Sequence, residues 1–214
     1  MTNGSARQLP RGRHGLPREQ VIAAQRDRIL DAMADAMADG GYVNTSVAAV
    51  LKRAGVSRET FYEQFRSKEH CFEAAFERAV ERLVARVTSA STTGDSDGPD
   101  LERMRRLLDA YFDGLIEEPA YARLYLVEVY AVGSRAVARR AELQESFVAL
   151  IADVLGATTE AQRFACRTLA AAVSAMVTAR IAADDIDGLR TLRDPLLDMV
   201  RRGGDLYGSA AAGL

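Results

Sequence analysis

The chain has 214 residues, of which 48% are hydrophobic and 27% charged, with a formal net charge of −2. That is enough apolar material for a core, and too many charges for a chain embedded in a membrane. Tryptophan is absent, only five prolines occur and Cys71 and Cys166 are the only cysteines, so a disulfide framework is excluded and helix is favoured over sheet.

Charge is unevenly distributed. Residues 1–70 hold 11 Lys+Arg against 8 Asp+Glu, and residues 71–214 hold the other 17 against 22. A basic first third on an acidic remainder suits a nucleic-acid-contacting head on a body that nucleic acid does not touch. No unbroken apolar run reaches the ~18 residues of a membrane span. Residues 1–20 lack the apolar centre of a secretory signal. The expected location is therefore cytoplasmic, with no membrane partner.

In chain order, residues 1–17 read as a flexible basic tail in which Arg7, Arg11 and Arg13, with Arg18 just beyond, form a candidate minor-groove arm. Apolar spacing of three and four through Ile22, Ile29, Met33 and Met37 predicts a helix from Arg18 to Asp39, closed by Gly40-Gly41. A short helix follows over 46–54, with Thr45 or Ser46 as its cap. Gly55 breaks it, and Ser57 caps another short helix that ends near Phe65. Ser67 opens a long fourth helix to about Thr88. Residues 89–100, SASTTGDSDGPD, carry no large apolar side chain and predict a linker. Helices are then predicted over 101–117, 119–131, 134–155, 158–183 and 188–207, the last with a kink at Pro195. No stretch alternates with period two, so no sheet is expected.

Two short amphipathic helices joined by a glycine turn form a helix-turn-helix, which leaves the outer face of helix 57–65 free to enter a major groove. Residues 54–69, AGVSRETFYEQFRSKE, preceded by GGYVNTSV and followed by Phe72 and Phe76, resemble the TetR family of transcriptional regulators. The resemblance is dense over about residues 24–84 and architectural beyond. It departs at Leu51, where many members have alanine, and at Gln64, where many have histidine.

The residues of this segment divide by what each side chain offers DNA. Arg58, in the first turn of the recognition helix, is the candidate to read guanine. Thr60 and Tyr62 are expected to face outward, and Ser57 and Gln64 to border the same surface. Lys68 matches the family's backbone-contacting lysine and is one of two lysines in a chain with 28 Lys+Arg. Thr45 and Ser46 are candidates for phosphate contact, although plain capping accounts for either equally well.

The fold implied is all-α, with a three-helix head joined through helix four to a larger helical body; the boundaries read as tail 1–17, DNA-binding domain 18–88 and body 101–214. The resemblance implies a homodimer that holds a double-stranded DNA operator and a small-molecule effector of unknown identity. Alanine-rich helix 158–183 and helix 188–207 are the expected dimer interface. Aromatics and methionines gather after the linker, so Met104, Leu108, Tyr111, Phe112, Tyr125, Phe147, Phe164 and Met176 are the candidate pocket lining. Glu128, alone in the apolar run LYLVEVY, is read either as a ligand contact or as the partner of a nearby arginine. A phosphate loop, a nucleophile elbow and a metal-spaced cluster are absent, so neither an enzyme nor a cofactor is expected. A helical enzyme or ligand carrier with an incidental helix-turn-helix-like turn, and a purely structural dimerisation protein, are the rival readings.

Overall fold

The computed structural model describes residues 17–92 and 101–212. The described residues form helices α1 (Arg18–Asn44), α2 (Val47–Ala54), α3 (Arg58–Gln64), α4 (Lys68–Thr92), α5 (Leu101–Glu117), α6 (Pro119–Arg123), α7 (Val129–Val132), α8 (Ser134–Leu155), α9 (Glu160–Ala182), α10 (Ile186–Arg190), α11 (Arg193–Gly203) and α12 (Ser209–Ala212), and contain no strand. A π-helical segment, Leu124–Glu128, joins α6 to α7, and a 3-10 turn, Gly204–Leu206, follows α11.

Local chemistry sets the head. Ser46 caps α2 by accepting the Ala49 N–H, and Ser57 caps α3 by accepting the Thr60 N–H. Ser67 accepts the His70 N–H at the start of α4. Between α2 and α3 the chain reverses at Gly55, whose left-handed φ of 63° suits a residue without Cβ. α1 runs on past Gly40-Gly41, but Gly41 sits at φ 74°, ψ 165° and kinks the helix there.

Four phenylalanines, Phe61 and Phe65 around α3 and Phe72 and Phe76 of α4, are almost wholly buried. Arg26 of α1 lies 4.7 Å over the Phe65 ring. The buried apolar residues continue without a break from this head through the body.

α4 is the shared element. It packs on α1 in the head and most extensively on α5 in the body. The body also grips it through ion pairs. Arg139 of α8 holds Glu77 at 2.7 Å, Arg82 meets Glu118 at 2.5 Å, and Arg86 pairs with Glu117.

Three predicted elements differ. α4 continues to Thr92, into the stretch predicted as linker, and residues 93–100 lie outside the described residues, as do Arg7, Arg11 and Arg13 of the predicted tail. The helix predicted over 119–131 is interrupted by its π segment. The helix predicted over 188–207 breaks at Thr191–Leu192, where the Thr191 hydroxyl donates to the Gly188 carbonyl. Pro195 does not kink it. The proline lies in the first turn of α11, where its missing N–H leaves no bond unmade.

Candidate nucleic-acid interface and effector cavity

The outer face of α3 presents Arg58, Glu59, Tyr62 and Glu63 to solvent, while Phe61 is wholly buried beneath it. Tyr62 stands edge-on to Phe61, with ring centroids 5.3 Å apart, and remains 47% exposed. The Ser57 and Thr60 hydroxyls share a hydrogen bond of 2.9 Å, which fixes both at the start of the helix. Ser46 is exposed at the neighbouring start of α2. Lys52 and Arg66 are also exposed in this segment. Sequence reasoning passed over both, although their charge and their place beside the motif were the available signal.

Three of the sequence-predicted contacts sit differently. Thr45 is buried, and its hydroxyl donates to the carbonyls of Gly41 at 2.8 Å and Ala36 at 3.2 Å. Its N–H also turns back to Gly41 and Tyr42. With both groups satisfied internally, Thr45 is a structural residue of the α1 terminus and not a phosphate ligand. Gln64 is partly buried, and its side-chain oxygen has no hydrogen-bond partner. Lys68 is partly buried as well. Its ammonium donates to the Tyr42 carbonyl at 2.9 Å and lies 4.1 Å over the Tyr42 ring. Three N–H groups on that ammonium leave two for another acceptor.

Tyr42 is the residue that sequence reasoning missed. It follows the Gly41 kink, is 8% exposed, and uses every polar group it has. Its carbonyl accepts from Lys68. Its hydroxyl donates to Glu69 at 3.0 Å, and its N–H donates to the Glu128 carboxylate at 2.8 Å. Burial, and then the Glu69 carboxylate, push its phenol up to about 12. The backbone N–H of Glu69, the Ser67 hydroxyl and the Tyr42 hydroxyl together hold Glu69 below the usual carboxylate range.

Glu128 thus resolves as a strut. It lies at the end of the π segment in the body, is 7% exposed, and reaches back 86 positions to the head. Arg123 stands 3.4 Å away as its ion-pair partner, which fits the reading of Glu128 as the partner of a nearby arginine. At Gly41 any side chain would place a Cβ 3.4 Å from this carboxylate, in addition to the strained φ.

In the body, Met104, Leu108, Tyr111, Tyr125 and Phe147 line one apolar cavity of about 50 Å³ together with Leu107, Gln144, Ile151, Ala170, Val173 and Ser174. Three of the predicted lining residues are elsewhere. Phe112 is buried on another side of α5, against a shallow groove with Arg190 and Arg193. Phe164 is 67% exposed on α9. Met176 packs partly buried against the core and does not reach the cavity. A larger cleft of about 400 Å³ separates α4 from α5 and α6, but the Arg82–Glu118 and Arg86–Glu117 pairs line it.

The two cysteines are buried thiols. Burial pushes Cys71 up to about 12 and raises Cys166, which contacts the Tyr207 carbonyl at 3.6 Å. Neither is a poised nucleophile.

Residues 29–75 match the profile of bacterial regulatory proteins, tetR family. The matched segment is a tetR-type head. That head makes the chain a DNA-binding transcriptional regulator. The fold extends to solved structures. Against the fatty acid degradation regulator FadR from Bacillus halodurans the TM-score is 0.70 at 21% identity, over 86% of this chain and 95% of that one. A TetR-like transcriptional regulator from Rhodococcus sp. RHA1 gives 0.66 at 23% identity, over 88% and 99%. FadR from Bacillus subtilis, solved in complex with stearoyl-CoA, gives 0.69 at 18% identity, over 86% and 98%. A search of curated protein sequences returned no significant match.

One described helix, α9, is long and apolar enough to cross a membrane by length and composition, with 39% of its apolar window buried within the fold. Counting unbroken apolar runs passed over it, because arginine, serine and threonine are interspersed.

Proposed function

We propose that the chain is a ligand-responsive repressor. It acts as a homodimer that reads its operator through α3 and takes its effector into the cavity of the body. The observation that carries this reading is the strut from Glu128 to Tyr42. It starts three residues from Tyr125, which lines the cavity, and ends at the kink before the helix-turn-helix. A ligand that shifts Tyr125 acts on the same π segment that holds the head, so the head position and cavity occupancy are coupled. On this reading the protein works in the compartment that holds the DNA.

Arg58, Thr60 and Tyr62 face the groove, while Ser46, Ser57, Gln64 and Lys68 border the phosphates. Dimerisation is assigned to α9 and to the segment after it. The outer face of α9 carries Phe164, Thr168, Ala171, Ala172, Ala175 and Ala179, all exposed, and Met199 of α11 and Leu206 in the turn after it are exposed as well. Gln162 donates to the Asp205 carbonyl at 3.0 Å, which brings the Phe164 and Leu206 regions together. Small side chains allow close helix approach, and large apolar groups left in water mark an interface.

The test is a salt titration of DNA binding with fragments selected from random duplex. Each phosphate contact lowers affinity steeply with salt, by a slope of about −0.9 per contact. Lys68→Ala is expected to weaken binding to all sequences alike and to reduce the slope by about one unit. No selectable fragment and no salt dependence for the wild-type protein would end the regulator reading. An unchanged slope in the variant would confine Lys68 to its place on Tyr42.

A further inference from the structure

Arg140 of α8 is 9% exposed, yet no carboxylate lies within ion-pair distance of it among the described residues. Its Nη2 donates only to the Ser174 hydroxyl, at 2.9 Å, and its Nε is buried with no partner. The guanidinium lies beside two aromatic rings, with the Tyr125 centroid at 5.8 Å and the Tyr130 centroid at 5.2 Å. Aromatic faces attract a cation but do not satisfy its N–H groups. A desolvated guanidinium without an anion is costly, and chains retain such groups where an anion comes to them.

The position says which anion. Ser174 and Tyr125 both line the cavity whose other walls are Met104, Leu108 and Phe147. Nε and Nη2 form one edge of the guanidinium, the edge that takes a carboxylate in two parallel hydrogen bonds. One of those donors is free and the other is held only by a neutral hydroxyl. The Tyr111 and Tyr125 hydroxyls also have no hydrogen-bond partner among the described residues, although burial is the main influence on both phenols and raises them, and Arg140 acts to lower them.

We propose that the effector is an apolar monocarboxylate, its carboxylate bound by the Nε and Nη2 of Arg140 with Ser174, and its apolar body laid between Met104, Leu108 and Phe147. This rests on the reading of the body as an effector-binding unit. Small-molecule sites commonly span ~300–1,000 Å³, so a cavity of about 50 Å³ is the closed form. The ligand opens it by parting Tyr111 from Phe147, whose rings now meet edge to face at 6.0 Å. The carboxylate meanwhile draws the Arg140–Tyr125 stack, and with it the π segment that ends at Glu128.

The experiment is calorimetric titration of the full-length protein with octanoate and 4-phenylbutanoate, each compared with the alcohol of the same carbon skeleton. At least one carboxylate is expected to bind tenfold or more tightly than its alcohol. Arg140→Met, which keeps the length and removes the charge, is expected to abolish that preference while leaving the alcohol affinity within threefold. Ser174→Ala serves if the methionine variant does not fold, and is expected to reduce the preference about threefold. Equal binding of acid and alcohol, no binding of either acid, or a preference that survives removal of the Arg140 charge would overturn the assignment. Wild-type DNA binding is measured on the same preparation. If it is intact while the acids fail, only the ligand class falls; if DNA binding itself is absent, the regulator reading falls whatever the acids do.

Discussion

Glu128→Ala is expected to cost about 3 kcal/mol of stability and to separate effector binding from operator release. A hydrogen bond to an ionised acceptor contributes about 1.5–3 kcal/mol, and removing one member of a buried ion pair costs about 3–5 kcal/mol. Glu128 makes both interactions, to the Tyr42 N–H at 2.8 Å and to Arg123 at 3.4 Å. Alanine leaves the Tyr42 N–H without its acceptor and the Arg123 Nε without a partner, while the Arg123 Nη1 keeps Asp184 and the Ile181 carbonyl. Glu128→Gln keeps an acceptor oxygen for Tyr42 and loses only the charge, so it is expected to recover roughly half of the stability. Urea unfolding of the three proteins gives the stabilities, and operator binding with and without effector gives the coupling. A Glu128→Ala protein that is as stable as wild type, or that still releases DNA fully on binding effector, would refute the strut.

Arg58→Ala is expected to weaken binding to the selected operator by about 1–3 kcal/mol, a loss of roughly five- to 150-fold, and to relax preference at one base-pair position in each half-site. Arg58 is exposed in the first turn of α3, which Ser57 caps and Phe61 anchors. It forms no ion pair with Glu59 or Glu63, so its fork is available to guanine O6 and N7. Competition with operators randomised one position at a time distinguishes readout from phosphate contact. A uniform loss across all sequences would assign Arg58 to the backbone.

The head was legible because its signals are local. Ser46, Gly55 and Ser57 act on their own backbone neighbours, and each stands in the structure where its chemistry places it. What escaped depends on partners distant in sequence. Thr45 and Ser46 are both hydroxyl residues at a helix start, but only the fold turns Thr45 inward to the Ala36 carbonyl. Tyr42 reads as one more aromatic until Glu128 arrives from the body. Among the pocket candidates, Tyr111 and Phe112 are adjacent and chemically alike, yet a rotation of about 100° per residue on a helix sends one to the cavity and the other to the far side. Phe164 fails for a different reason. Apolar character marks a surface to be covered, and cannot say whether this chain or a second copy covers it. Pro195 misled because a proline breaks a helix interior but suits a first turn, and the register of that helix was set by Thr191 and Leu192 upstream.

The π segment Leu124–Glu128 has a consequence for where the protein is softest. Leu124, Leu126 and Val129 are buried at 0–1% exposure, as deep as any residues in the fold. A π turn nevertheless interrupts the regular hydrogen-bond ladder of the α turns on either side. Amide hydrogen exchange in native protein is therefore expected to find early deuterium uptake at 124–128, ahead of α8 and of α1, α4 and α9, which pack against it. Such an order inverts the usual pattern, in which protection rises with depth. Uptake at 124–128 no faster than in α8 would show the turn to be rigid. A soft seam at the centre gives the body somewhere to yield without loosening its exterior.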